Sequence, residues 1–167
     1  MDRPTFFNDS LQQIRACGIM CYRYDTKNKT LEFLLINDLT TGYIQDFGGK
    51  TDIGDLTSID TALRETREES NKIINLTSDD LDKITMYNKW GKYLLYFCNL
   101  DKHPKYSVEV FGNKEEYEGI PRTIIWIPAN KLILNWKYLH PRIKTHDFIE
   151  CINNLIKKYT SGFNLSS

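Results

Sequence analysis

The chain has 167 residues, 41% hydrophobic and 26% charged, and its 22 Lys+Arg balance 22 Asp+Glu for a formal net charge of zero. That length suits one domain, expected over residues 1–167, with a sizeable core and an ordinary globular composition. An even charge excludes a global field steering the molecule to nucleic acid or an anionic membrane, though not a local basic groove.

The opening stretch MDRPTFFNDSLQQ holds no apolar run long enough for a signal peptide or membrane span. Ile14–Tyr24 and Leu31–Asn37 are apolar and flank the turn DTKNKT, so they are predicted to form a hairpin. Cys17 and Cys21 lie in the first of these segments, and Cys98 and Cys151 stand apart. No C-x-x-C pair suggests zinc, so all four read as reduced small hydrophobes of a cytoplasmic protein. Tyr43–Phe47 is predicted as a short strand running into Gly48-Gly49.

Thr57 or Ser58 can cap a helix with Asp60 in its first turn, and Asn71 can end it in the left-handed conformation. Ile59, Ala62, Leu63, Thr66 and Ile73 share its apolar side. Strands are predicted at Lys83–Asn88, Lys92–Asn99 and Arg122–Ile127, the last preceded by the polar stretch GNKEEYEGIP. Thr145–Tyr159 places Phe148, Ile149, Ile152, Leu155, Ile156 and Tyr159 on one stripe, which predicts a C-terminal amphipathic helix packed on the core. Strands mixed with two helices imply a layered α/β domain.

On the first helix Glu65, Glu68 and Glu69 stand at i, i+3 and i+4, so their carboxylates share a stripe beside the apolar face. Each like-charge pair at that spacing destabilises by about 0.2–0.5 kcal/mol. Arg64, four residues before Glu68, offsets part of this, as does Arg67 from the flank. A solvated charge run accounts for such a stripe, and so does a site for a hard divalent cation, which seeks several carboxylate oxygens together.

GGKTDIGD followed by ALRETREESN resembles the Nudix box, the loop-helix-loop of the Nudix hydrolases. Gly49, Arg64, Glu65, Glu68 and Glu69 match its pattern in place. Asp55 stands where a glutamate is expected, eight residues instead of seven separate it from Arg64, Thr66 replaces an aliphatic residue, and Asn71-Lys72 replaces glycine plus an aliphatic residue. Asp55 is shorter by one methylene, the extra loop residue is expected to let it reach the same place, and the Thr66 and Lys72 changes touch packing, not chemistry. The resemblance implies a Nudix-type α/β/α sandwich with a mixed central sheet and the C-terminal helix.

It also implies metal-dependent hydrolysis of a diphosphate linkage in a nucleoside diphosphate derivative. Glu65, Glu68, Glu69 and the Gly49 carbonyl would hold Mg2+ or Mn2+, with Glu65 alternatively the general base, and Arg64 would orient the glutamates or the Asp55 loop. Lys50 is a candidate for phosphate, and Tyr43, Phe47, Trp90, Tyr93, Trp126 and Trp136 for a base-stacking platform, most of them being expected in the core. His103, His140 and His146 are expected on the surface or in loops. One of Glu115, Glu116 and Glu118 is expected to reach the site as a base, with Glu116 and Glu118 ahead. A small-molecule nucleotide is the expected partner. Capped RNA lacks a basic track in the sequence, and diphosphoinositol phosphates lack a Lys/Arg pocket. A catalytically silent ligand-binding module is the alternative from another class.

Overall fold

The computed structural model describes residues 2–162, so Met1 and residues 163–167 of the expected domain lie outside the described residues. Two strands not expected from the sequence, β1 (Phe6–Phe7) and β2 (Gln13–Ile14), pair antiparallel ahead of the main sheet. The expected hairpin follows as β3 (Ala16–Asp25) and β4 (Thr30–Asp38). The expected strand at Tyr43–Phe47 is two pieces, β5 (Ile44–Gln45) and β6 (Phe47–Lys50), before helix α1 (Ser58–Glu69). Next come β7 (Leu81–Asn88), β8 (Tyr93–Asn99), β9 (Lys114–Glu115), β10 (Ile120–Pro128), α2 (Ala129–Leu134) and α3 (His146–Gly162).

The central sheet runs β7-β8-β3-β4-β10-β9, and it is mixed because β3 and β8 pair in parallel while the other neighbours pair antiparallel. Alternation along the strands divides the core in two. Met20, Tyr22, Phe33 and Leu35 face Leu132 of α2 and Phe148, Ile152 and Leu155 of α3. Cys17, Ile19, Cys21, Leu34 and Ile36 face the opposite layer, where Ala62 of α1 packs. Both faces of β3 and β4 are covered over Cys17–Tyr22 and Phe33–Ile36, so these stretches are buried and carry no charged residue. The protein is an α/β/α sandwich. Cys17, Cys21 and Cys98 are buried, Cys151 is half-buried, and all four are free. No described helix is long and apolar enough to cross a membrane.

One irregularity in the sheet sets up everything near α1. β3 and β4 splay where β6 pairs with the start of β3, Gly48 opposite Gly18 and Gly49 opposite Cys17, while β5 pairs with the end of β4. Between β5 and β6 the carboxylate of Asp46 is completely buried. It accepts hydrogen bonds from the Tyr93 hydroxyl and from Arg142 Nε at 2.9 Å, and Arg142 Nη2 donates to the Asp46 carbonyl at 2.8 Å. A Cβ at Gly18 or Gly48 would collide with that hydroxyl, so only glycine admits Tyr93 here. Arg142 is brought in by Leu139, which bridges in parallel to Ile44, and by His140, whose N–H donates to the Ile44 carbonyl at 3.0 Å.

Removing one partner of a buried ion pair leaves the other charge uncompensated, which typically costs about 3–5 kcal/mol. Arg142→Met is therefore expected to lower the unfolding free energy by about that amount in urea titration. The double variant Asp46→Asn/Arg142→Met is expected to lose clearly less.

Candidate active site

Helix α1 starts where its sequence says it should. Thr57 Oγ1 accepts from the Asp60 N–H at 3.2 Å while Asp60 Oδ2 accepts from the Thr57 N–H at 2.9 Å, a reciprocal capping box. One turn later Arg64 becomes the hub of the site. Its Nε and Nη2 donate to the two oxygens of Asp55 at 2.9 and 3.0 Å, a bidentate pair. Nη2 also donates to the Lys50 carbonyl at 2.8 Å, and Nη1 reaches Glu65 at 3.0 Å and Glu68 at 3.2 Å. One guanidinium thus orients the helix glutamates and the Asp55 loop together.

Asp55 is buried, and Thr61 Oγ1 and the Asp52 N–H also donate to it at 2.8 Å. Burial alone would raise its pKa, but these donors and Arg64 outweigh it and hold the carboxyl below the ordinary aspartate value. The aspartate in place of glutamate is fully engaged from its longer loop.

Glu65, Glu68 and Glu69 line one face of a cleft of about 290 Å³. Burial pushes the Glu65 carboxyl up, and Arg64 partly offsets this. Glu69 is only part-exposed, and its Oε2 is shut off from water with no hydrogen-bond partner. Burial drives its pKa well above the ordinary glutamate value, against the pull of Arg142 and the Gly48 N–H. Gly49 matters by what it lacks. A Cβ there would lie 2.5 Å from the Glu65 carboxyl carbon, so the bare backbone is the seat of that carboxylate.

The far end of α1 closes as a Schellman motif. The Asn71 N–H donates to the Glu68 carbonyl at 3.1 Å and the Lys72 N–H to the Arg67 carbonyl at 2.7 Å, with Asn71 at φ 54°. Ile73, expected on the helix's apolar side, lies beyond this stop and is exposed, while Ile74 is buried in its stead. Arg122 of β10, 1% exposed, donates from Nη2 to the Glu69 carbonyl and from Nη1 to the Gly112 carbonyl, both at 2.9 Å. Its Nε is buried without a partner, and burial lowers its pKa.

Glu115, Tyr117, Glu118, Ile120 and Arg122 line the same cleft, and Ile36, Asp38, Gln45 and Lys50 are among its other lining residues. Several expectations need correction. Glu116 is exposed and does not line the cleft. Glu115, ranked behind it, does, but its carboxylate is spent accepting the N–H groups of Tyr117 at 2.9 Å and Glu118 at 2.7 Å. Glu118 lines the cleft as well, and its carboxylate takes part in none of the described hydrogen bonds. Phe47 is wholly buried in the core on the α1 side, because the β6 register turns it inward. Tyr43 packs edge-on against His140 and lies outside the lining, as do Trp90, Tyr93, Trp126 and Trp136. The aromatic ring at the cleft is Tyr117, 72% exposed, which is not among the aromatics expected there. None of the three histidines lines the cleft.

The donor set fits a hard divalent cation. Glu69 offers a buried oxygen without a partner, and the Gly49 seat keeps Glu65 beside it. Among the described residues no three side chains form a ready-made metal cage. Arg64 Nη1 bridges Glu65 and Glu68 as an internal counter-ion.

No protein-family model matches the sequence, and no curated protein matches it. Solved structures do. The NUDIX domain of Shewanella oneidensis NrtR, complexed with ADP ribose, has a TM-score of 0.54 at 12% identity, over 87% of each chain. A NUDIX-hydrolase-type protein of Listeria monocytogenes has a TM-score of 0.52 at 12% identity, over 90% of this chain and 97% of that one. A mutT/nudix family protein of Listeria innocua has a TM-score of 0.50 at 15% identity, over 90% and 96%. Likeness at these identities is likeness of fold, and the fold of this chain is the Nudix fold.

Proposed function

We propose that this protein, acting as one Nudix domain, hydrolyses a diphosphate linkage in a nucleoside diphosphate derivative. The observation that carries this reading is the cleft itself. Glu65, Glu68 and Glu69 converge there, one Glu69 oxygen is buried without a partner, and Glu118 and Lys50 line the same space. A solvated charge run would hold no buried carboxylate oxygen. The likeness of fold to a domain crystallised with ADP ribose agrees with a ligand of this class.

Mg2+ or Mn2+ held by Glu65, Glu68, Glu69 and the Gly49 carbonyl would neutralise diphosphate charge and acidify a water for in-line attack. The chain's own residues do the rest. Arg64 aims Glu65 and Glu68, and its grip on Asp55 fixes the loop that leads into α1. Lys50 meets a phosphate as a point charge. Tyr117 offers a flat face beside Ile36 and Ile120 on which a base can lie. Glu118 takes the proton from the attacking water. Free cysteines agree with a reducing, cytoplasmic setting.

Glu68→Gln and Glu69→Gln are each expected to lower turnover by orders of magnitude on a panel of dinucleotides and nucleotide sugars, with the fold intact. A variant with near-full activity refutes the assignment. Glu69 carries a raised pKa in the folded state, so ionising it costs stability as pH rises above the ordinary glutamate value. Without metal at neutral pH, Glu69→Gln is therefore expected to melt at the same temperature as the wild type or higher. Millimolar Mg2+ or Mn2+ is expected to raise the wild-type melting temperature and to leave that of Glu69→Gln almost unmoved.

Glu118→Gln is expected to cut the maximal rate by about 10²–10⁴-fold, the usual worth of a general base, at nearly constant KM. Wild-type rates across the pH range in that variant would make Glu65 the base.

A further inference from the structure

Asn71 stands where the Nudix box has glycine, and the Schellman geometry explains only part of that choice. Glycine would accept φ 54° at no steric cost, so a left-handed stop needs no side chain. Yet the Asn71 side chain is fully engaged. Its two Nδ2 hydrogens go to the carbonyls of Phe111 and Lys114, each at 2.9 Å, and Oδ1 accepts from the Glu116 N–H at 2.9 Å. Its partners lie 40 to 45 residues away in sequence, and all belong to the loop that ends in Tyr117 and Glu118.

The same loop is braced from two other directions. Arg122 links the Gly112 carbonyl to the Glu69 carbonyl at the last turn of α1. Within the loop, Glu115 holds the N–H groups of Tyr117 and Glu118, and β9 pairs with β10 around Gly119 at φ 72°. The segment from Phe111 to Glu118 is therefore one braced unit. It is fastened to the end of the helix that carries Glu65, Glu68 and Glu69. Of those fasteners, only the Asn71 amide supplies both donors and an acceptor.

We propose that Asn71 is a positioning residue. It locks the Phe111–Glu118 loop to the C-terminal end of α1, and so holds Glu118 and Tyr117 at a fixed distance from the carboxylate stripe in the same cleft. This rests on the proposed function in so far as Glu118 and Tyr117 act on the substrate. The clamp itself is a matter of hydrogen bonds and is testable apart from activity. Groups on rigid supports keep the near-attack geometry that fast chemistry requires, and a shift of about 1 Å can cost 10²-fold in rate.

The test is Asn71→Gly, the variant that keeps the left-handed stop and deletes the three side-chain bonds. Amide hydrogen exchange in the Phe111–Glu118 segment, the Glu116 amide above all, is expected to accelerate, while exchange within Ser58–Glu69 stays as in the wild type. On the best diphosphate substrate kcat per folded molecule, with the folded fraction fixed by circular dichroism at the assay temperature, is expected to fall about 10–100-fold, which a loss of folded enzyme alone does not produce. Asn71→Asp, nearly isosteric and able to adopt the same backbone, sets a carboxylate against two carbonyls and is expected to fail as glycine does. Wild-type exchange in the loop of Asn71→Gly overturns the clamp, and faster exchange with unaltered kcat overturns its positioning role. A wild type inert toward every diphosphate tested strikes instead at the proposed function, and the exchange comparison still decides the clamp.

Discussion

Carboxylates at i, i+3 and i+4 on a helix repel one another, and burying one of them makes the repulsion worse because less water screens it. Glu65, Glu68 and Glu69 are in that position, and much of the polar construction around α1 answers it. Arg64 spreads its donors over Glu65, Glu68 and Asp55, so no single acid is fully neutralised. Burial drives Glu69 toward its neutral form, and the charge of Arg142 pulls the other way. The cluster keeps a surplus of negative charge that is held in shape but left open to a cation.

Three arginines divide this labour by burial and reach. Arg64 works from the helix surface through a planar fork that a lysine could not imitate. Arg122, almost wholly buried, spends its donors on backbone carbonyls at the end of α1 and in the Phe111–Glu118 loop. Arg142 pairs with the buried Asp46 carboxylate, and that pairing raises its own pKa against the effect of burial. Only the first belongs to a recognisable motif, yet the second lines the same cleft and the third holds Asp46, the chain neighbour of Gln45, which lines it too.

What could be read from the sequence follows from the range of the interactions. The β3–β4 hairpin, α1 with its cap and stop, and α3 all declare themselves by local periodicity and end signals, and the structure has each of them. Short elements such as β1, β2, β9 and α2 carry too few residues to show a period. The Arg64–Asp55 pair was legible because both belong to one loop-helix segment. Asp46 and Arg142 are 96 residues apart, and nothing short of the sheet topology brings them together. Phe47 misled for a related reason: an aromatic before Gly-Gly looks exposed to ligand until the β6 register turns it into the core. Within GNKEEYEGIP the turn decides which glutamate reaches the cleft, and composition alone cannot rank them.

The long reach between Asp46 and Arg142 also bears on how the molecule comes into being. Synthesis delivers β3 to β6 and α1 well before residue 142, and a domain generally folds as a unit. Until the 139–143 segment docks beside Ile44, Asp46 would have to enter the sheet without its cation, which a buried carboxylate resists. A chain that stops short of residue 142 is therefore expected to carry the glutamates of α1 without the buried pair that seats β5 and β6 beside them.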